Sequence, residues 1–136
     1  MDLFGVTYTS EASRPLSAED LDRLLVSARS RNSLVGVTGV LLYGEGRFVQ
    51  YFEGMRGGVD DVYARIKRSD LHRNVMELEH QHISQRLFNR WFMGFRETPA
   101  SALQKLSQEA WARELPWVEG QSIPSPGMAH LLALVA

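Results

Sequence analysis

Val35-Gly-Val-Thr-Gly-Val-Leu-Leu-Tyr43, Gly44-Glu45-Gly46 and Arg47-Phe-Val-Gln-Tyr-Phe-Glu53 form the stretch that decides the fold. The first run is apolar on both faces, as an inner strand requires. The glycine pair supplies a turn, and the second run returns as an antiparallel partner, giving a hairpin. The second strand alternates Phe48, Gln50 and Phe52 on one face with Val49, Tyr51 and Glu53 on the other. The face with two phenylalanines and no charge reads as the inner one. It places a primary amide, Gln50, among aromatics. An unpaired buried amide costs about 1–3 kcal/mol, so a core backbone group or a ligand must satisfy it.

The flanking sequence extends this hairpin into a domain. Leu3–Ser10 alternates as a strand, with Phe4, Val6 and Tyr8 on one face. Ser17 is an N-cap, with Glu19 and Asp20 in the first turn of a helix that runs to Asn32. Its apolar stripe is Leu21, Leu24, Leu25 and Ala28. Gly54–Gly58 leads flexibly into a second helix, whose Val59, Val62, Tyr63 and Ile66 fall at helical spacing. Ser69–Asn74 is a polar connection, and Val75–Ile83 and Arg90–Arg96 read as two more strands. The order predicts a ferredoxin-like α+β domain, βαββαββ, with two helices on one face of a single sheet. Ala100–Arg113 reads as a helix, Gly120–Gly127 as a loop and Met128–Val135 as a short helix. We therefore expect a domain over 1–97 and a helical extension over 98–136, packed on the sheet or at an oligomer interface.

Composition narrows the function. The chain has 136 residues, 44% hydrophobic and 23% charged, which fits one globular domain. A net charge of −1 argues against direct nucleic-acid binding, which needs a basic surface. The absence of cysteine excludes disulfides, thiolate metal sites and cysteine nucleophiles. No stretch reads as a signal peptide or a membrane span, so a cytoplasmic location is expected.

Two residues join Gln50. In this topology the first and third strands are neighbours, so Tyr8 and Gln50 project from one surface toward the same helices. Positions 21, 25, 28 and 32 follow one face of the first helix, which puts Asn32 at the inner end of that stripe. Singly, these are a core tyrosine and a C-cap asparagine. Together they are convergent polar groups in an apolar pocket, suited to the carbonyl and N–H edge of a flat heterocycle. His80 and His82 share a strand face but lack a third metal ligand, so no metal site is expected.

Tyr8-Thr-Ser10, Arg31-Asn32, Gly36-Val-Thr38-Gly39-Val-Leu41-Leu42-Tyr43, Gly46-Arg-Phe48-Val-Gln50, Glu53-Gly54 and Trp91-Phe92-Met93 occur in order at a joint spacing that resembles the BLUF family of blue-light sensors using FAD. The resemblance covers roughly residues 2–97. It implies a flavin ring held between the two helices over the sheet; FMN and riboflavin share that ring and stand as alternatives. It implies Tyr8 as the photoactive tyrosine and Gln50 as the amide between tyrosine and ring. Asn32 would bond the ring's carbonyl edge, and Leu25, Ala28, Phe48 and Ile66 would pack around it. Trp91 and Met93 match a pair tied to signal output, and strand alternation sets them on one face with Phe95, which fits an inward orientation. Two departures stand out: Phe92 occupies a position that is commonly small, and Ser69-Asp70-Leu71-His72 lacks the family's arginine. His72 is then a ligand contact, with Arg65 or Arg68 compensating for that arginine.

The implied function is a photosensor without catalytic turnover. Tyr8 would give up an electron and then a proton, and Gln50 would rearrange or tautomerise. The signal would pass to a separate downstream protein or across a homo-oligomer interface, since the chain has no room for an enzymatic output domain. Two rivals are an acylphosphatase-type enzyme using Arg14 and Asn32, and a metabolite-binding regulatory module.

Overall fold

The structure is a computed structural model that describes residues 2–111 and 125–136. Its elements run β1 (Leu3–Ala12), α1 (Ala18–Val35), β2 (Thr38–Gly44), β3 (Arg47–Met55), α2 (Arg56–Arg68), β4 (His72–Ile83), β5 (Gly94–Glu97), α3 (Ala100–Gln108) and α4 (Pro126–Val135). One sheet carries the strands in the order β4-β1-β3-β2-β5. The first four pair antiparallel, and β5 lies parallel to β2 at the edge. This is the expected ferredoxin-like βαββαββ arrangement.

Both faces of the sheet are covered. On the inner face, Val6, Tyr8, Leu41, Phe48 and Phe52 pack with Leu25 of α1 and Val59, Val62 and Tyr63 of α2. On the outer face, Val40, Leu42, Val49 and Tyr51 pack with Leu103 and Leu106 of α3 and Met128, Leu131 and Val135 of α4. The sequence assigned the charge-free face of β3 to the core. The opposite face, Glu53 included, is also buried.

Local chemistry sets the element ends. Ser17 caps α1: its hydroxyl accepts from Asp20 N, and the Asp20 carboxylate accepts from Ser17 N, closing a capping box. The helix runs three residues past the expected Asn32. Gly36, with φ 67°, takes the left-handed cap and donates its N–H to Asn32 O. Val35 and Gly36 therefore end a helix instead of opening a strand. The Glu45-Gly46 turn has φ of 47° and 81°, the two positive values that let a two-residue hairpin follow the strand twist. β1 and β4 both extend beyond expectation because they pair with each other, Glu11 with Arg73 and Ala12 with His72. β3 continues to Met55, opposite Leu3, so α2 begins at once at Arg56 without a flexible lead.

The larger correction concerns residues 90–93, expected as strand. Their carbonyls face other partners. Trp91 O accepts from Gly39 N at 2.8 Å, Phe92 O from the Asn32 amide at 2.7 Å, and Met93 O from the Arg29 guanidinium at 2.8 Å. Side chains of α1 thus hold a bent segment, and β5 starts only at Gly94. At the C-terminal end, α3 stops at Gln108, and Arg113 lies outside the described residues, as does most of the expected 120–127 loop. Pro126 and Gly127 belong to α4, with Pro126 in its first turn and Ser125 as N-cap.

Gly36→Ala puts a Cβ into a left-handed cap and should cost about 1 kcal/mol. Urea denaturation measures it; an unchanged midpoint would contradict the capping role.

Candidate functional site

Register places the site. Tyr8 pairs with Gln50 across β1 and β3, so both side chains rise from the inner face at one level. Tyr8 Oη donates to Gln50 Oε1, and Gln50 Nε2 donates to Met93 Sδ at 3.3 Å. Tyr8 and Met93 are buried, and Gln50 is 6% exposed. Burial, and after it the nearby Tyr63, pushes the Tyr8 phenol well above its ordinary pKa, which keeps it neutral. A thioether is a weak acceptor, so the Gln50 amide has one strong bond and one weak one.

A cleft of about 630 Å³, mouth included, opens between α1 and α2 above this amide. α1 lines it with Leu24, Ser27, Ala28, Arg31 and Asn32, the sheet with Leu41 and Gln50, and α2 with Val62, Arg65 and Ile66; Ser69 and His72 close one side. Of the residues named from the sequence, Ala28, Asn32, Gln50, Arg65, Ile66 and His72 line this one cleft. Leu25 is not among them: it faces the core, and Leu24 takes the wall position. Phe48 lies behind the wall, with its ring centroid 4.8 Å from His72. Tyr8 stands behind Gln50. Leu24, Ser27 and Arg31 sit at i, i+3 and i+7, a face one step round from the stripe used in the sequence reading.

Asn32 is buried in the last turn of α1, with its side-chain N–H on Phe92 O. It is not the helix cap. His72 Nδ1 is hydrogen-bonded with Ser10 Oγ at 2.7 Å. Burial lowers its pKa to about 4, so the ring is neutral near pH 7. Arg65 pairs with Asp61 at 2.5 Å, while Arg31 has no ion-pair partner among the described residues. Trp91 and Met93 do not share a face: Met93 is 1% exposed and Trp91 42%. Met93 points in onto Gln50, and Trp91 points out, stacked on Phe88 at 5.7 Å. His80 and His82 pack edge-on against the Phe4 ring. Arg14, which precedes α1, bonds Asp20 in its first turn, and Asn32 lies in its last turn, so the two groups of the acylphosphatase alternative sit at opposite ends of one helix.

The cleft suits a flat heterocycle. Its walls are aliphatic, its floor and end carry amides able to donate and accept, and two arginines stand at the rim. The model of the family "Sensors of blue-light using FAD" matches residues 3–94. The chain belongs to the BLUF family. It is 35% identical over 86 residues to the photoactivated adenylate cyclase subunit beta of Euglena longa, covering 63% of this chain and 10% of that protein. This BLUF chain thus spans about a tenth of the length of that curated relative. Among solved structures, a bacterial light-regulated adenylyl cyclase matches with TM-score 0.68 and 33% identity, covering 70% of this chain and 28% of the other. The BLUF protein BlrB in its dark state matches with TM-score 0.68 and 29% identity, covering 71% and 73%. The matched region is thus a domain of a blue-light-sensor family, and among the described residues no helix is long and apolar enough to cross a membrane.

His72 gives a pH prediction. Its folded pKa of about 4 lies below the ordinary 6.5, so between these values the unfolded chain binds more protons. Stability is full above pH 6.5 and falls as pH drops toward 4. In flavin-free protein, the wild type should lose about 2 kcal/mol more than His72→Gln across that window, allowing for partial solvent screening. Parallel melting profiles for the two proteins would contradict it.

Proposed function

We propose that this BLUF chain binds FAD in the α1–α2 cleft and registers blue light through the Tyr8–Gln50 pair. The carrying observation is the hydrogen-bond series Tyr8 Oη to Gln50 Oε1 and Gln50 Nε2 to Met93 Sδ, set at the floor of the cleft. Asn32 holds the carbonyl and N–H edge of the ring. Leu24, Ala28, Val62 and Ile66 sandwich it, and His72 closes its side. Arg31 and Arg65 at the rim suit phosphates, which favours a phosphorylated flavin over riboflavin.

A bound flavin supplies blue-light absorption and, once excited, an electron acceptor. Tyr8 then gives up an electron, and its hydroxyl proton passes along the existing hydrogen bond toward Gln50 Oε1. The raised phenol pKa keeps that proton in place in the dark. Gln50 turns or tautomerises before the same electron and a proton return to Tyr8, so that its amide would present a changed donor and acceptor pattern to the cleft. In a dry site such a change is energetically large. It also alters the Met93 contact, and with it the segment that α1 holds through Arg29 and Asn32.

We further propose a flavin-binding domain over 1–97 with 98–136 as its extension. The described part of that extension, α3 and α4, packs on the outer face. The chain would act in the cytoplasm as a homo-oligomer, without turnover of its own, and signal to a separate protein. Light-activated relatives joined to cyclases support an output that lies outside the sensor fold.

Tyr8→Phe removes one hydroxyl. The variant should retain flavin and lose the light-induced red shift entirely, read by absorption before and after blue light. A normal reversible shift would sink the assignment.

A further inference from the structure

The sheet face away from the cleft carries a carboxylate within an apolar layer. Glu53 has no exposed surface, and its neighbours along β3 on that face are Val49 and Tyr51. Among the described residues its oxygens accept four hydrogen bonds from three donors. Leu87 N donates to Oε1 at 2.5 Å and Oε2 at 2.9 Å, Phe88 N donates to Oε1 at 2.7 Å, and Tyr51 Oη donates to Oε2 at 2.9 Å. Arg86 bonds beside it, to Glu53 O, Thr38 Oγ1 and Gly36 O.

A buried acid is a poor way to gain stability, because an apolar residue of like volume often does as well. What this carboxylate does is grip two consecutive backbone N–H groups of the segment joining β4 to β5. Phe88, one of the gripped residues, packs in the outer core and stacks on Trp91. Trp91 O accepts from Gly39 N, and two residues on, Met93 Sδ accepts from Gln50. One end of this short run is fixed by Glu53, and the other end rests on the amide at the floor of the cleft.

We propose that Glu53 is a positioning residue for the light response: by holding Leu87 and Phe88 it seats Met93 on Gln50 and so favours the dark orientation of that amide. This rests on the reading of Tyr8 and Gln50 as the light-responding pair. Glu53 touches neither ring nor amide, so its effect must travel through the segment it holds. Glu53→Leu fills the space but leaves two N–H groups and the Tyr51 hydroxyl without their acceptor. Glu53→Gln retains Oε1 for both N–H groups and turns an amide donor toward Tyr51 Oη.

Two readouts test it on the full chain. The first is amide hydrogen exchange at Leu87 and Phe88 in flavin-free protein, and the second is the rate of dark return of the flavin-bound protein after blue light. Glu53→Leu should exchange about tenfold faster at both amides. It should also keep its dark absorption band and return about fivefold more slowly, since the dark orientation has lost support. Glu53→Gln should stay within about twofold of the wild type in both readouts. Leu103→Ala, which weakens the outer core without touching the carboxylate, should leave dark return unchanged. If Glu53→Leu does not fold, Leu87→Pro removes the doubly held N–H and should slow the return likewise. A wild-type response with an unchanged or faster return in Glu53→Leu overturns this inference alone, as does equal slowing in Leu103→Ala or failure of Glu53→Gln to rescue. A wild type with no light response overturns the reading of Tyr8 and Gln50, and the inference with it.

Discussion

A primary amide buried on the middle strand of a sheet must have its hydrogen bonds met by the protein or by what the protein holds. Gln50 meets that demand unevenly, with a bond from the Tyr8 hydroxyl on one side and a thioether on the other. The strong bond depends on register. A slip of one residue between β1 and β3 would send Tyr8 or Gln50 to the outer face, and the hairpin turn together with the apolar inner face prevents it. The weak bond leaves the amide free to change partners at modest cost, a property a rigidly satisfied core glutamine would lack.

The two faces of the sheet divide the work. The inner face, with α1 and α2, makes the cleft. On the outer face, which α3 and α4 cover, Glu53 holds the segment that returns to the cleft as Met93. α1 serves both ends of this arrangement. The same last turns that line the cleft with Arg31 and Asn32 hold the Phe92 and Met93 carbonyls through Asn32 and Arg29. A Gln50 that rearranged would therefore meet a segment tied to α1 and to the far side of the sheet. Membership of a family whose described relatives include light-regulated cyclases fits a sensor whose displacement is read elsewhere.

Much of this was legible in the sequence, for reasons that can be named. Strand alternation around Gln50 and Tyr8 identified a polar pair on one face, and the βαββαβ order made their strands neighbours. The helix-start chemistry at Ser17 was local and readable. Features set by distant contacts were not. Residues 91–95 alternate like a strand, but side chains from α1 take two of their carbonyls, which puts Met93 in and Trp91 out. Leu25 was favoured over Leu24 because a helical stripe fixes a wall to within about one residue of arc, not to the residue. Glu53 did leave a trace, as an acid two residues beyond Tyr51 on an otherwise apolar face. Its partners, the amides of Leu87 and Phe88, carry no side-chain signature.

The central claim is that the Gln50 amide, with Tyr8 behind it, is what light changes. The light-minus-dark absorption spectrum of Gln50→Leu beside the wild type tests it most directly. The account predicts a flavin-coloured wild type with a red shift that reverses in the dark, and a flavin-coloured variant without that shift. A colourless wild type, or a variant with the wild-type difference spectrum, would contradict it.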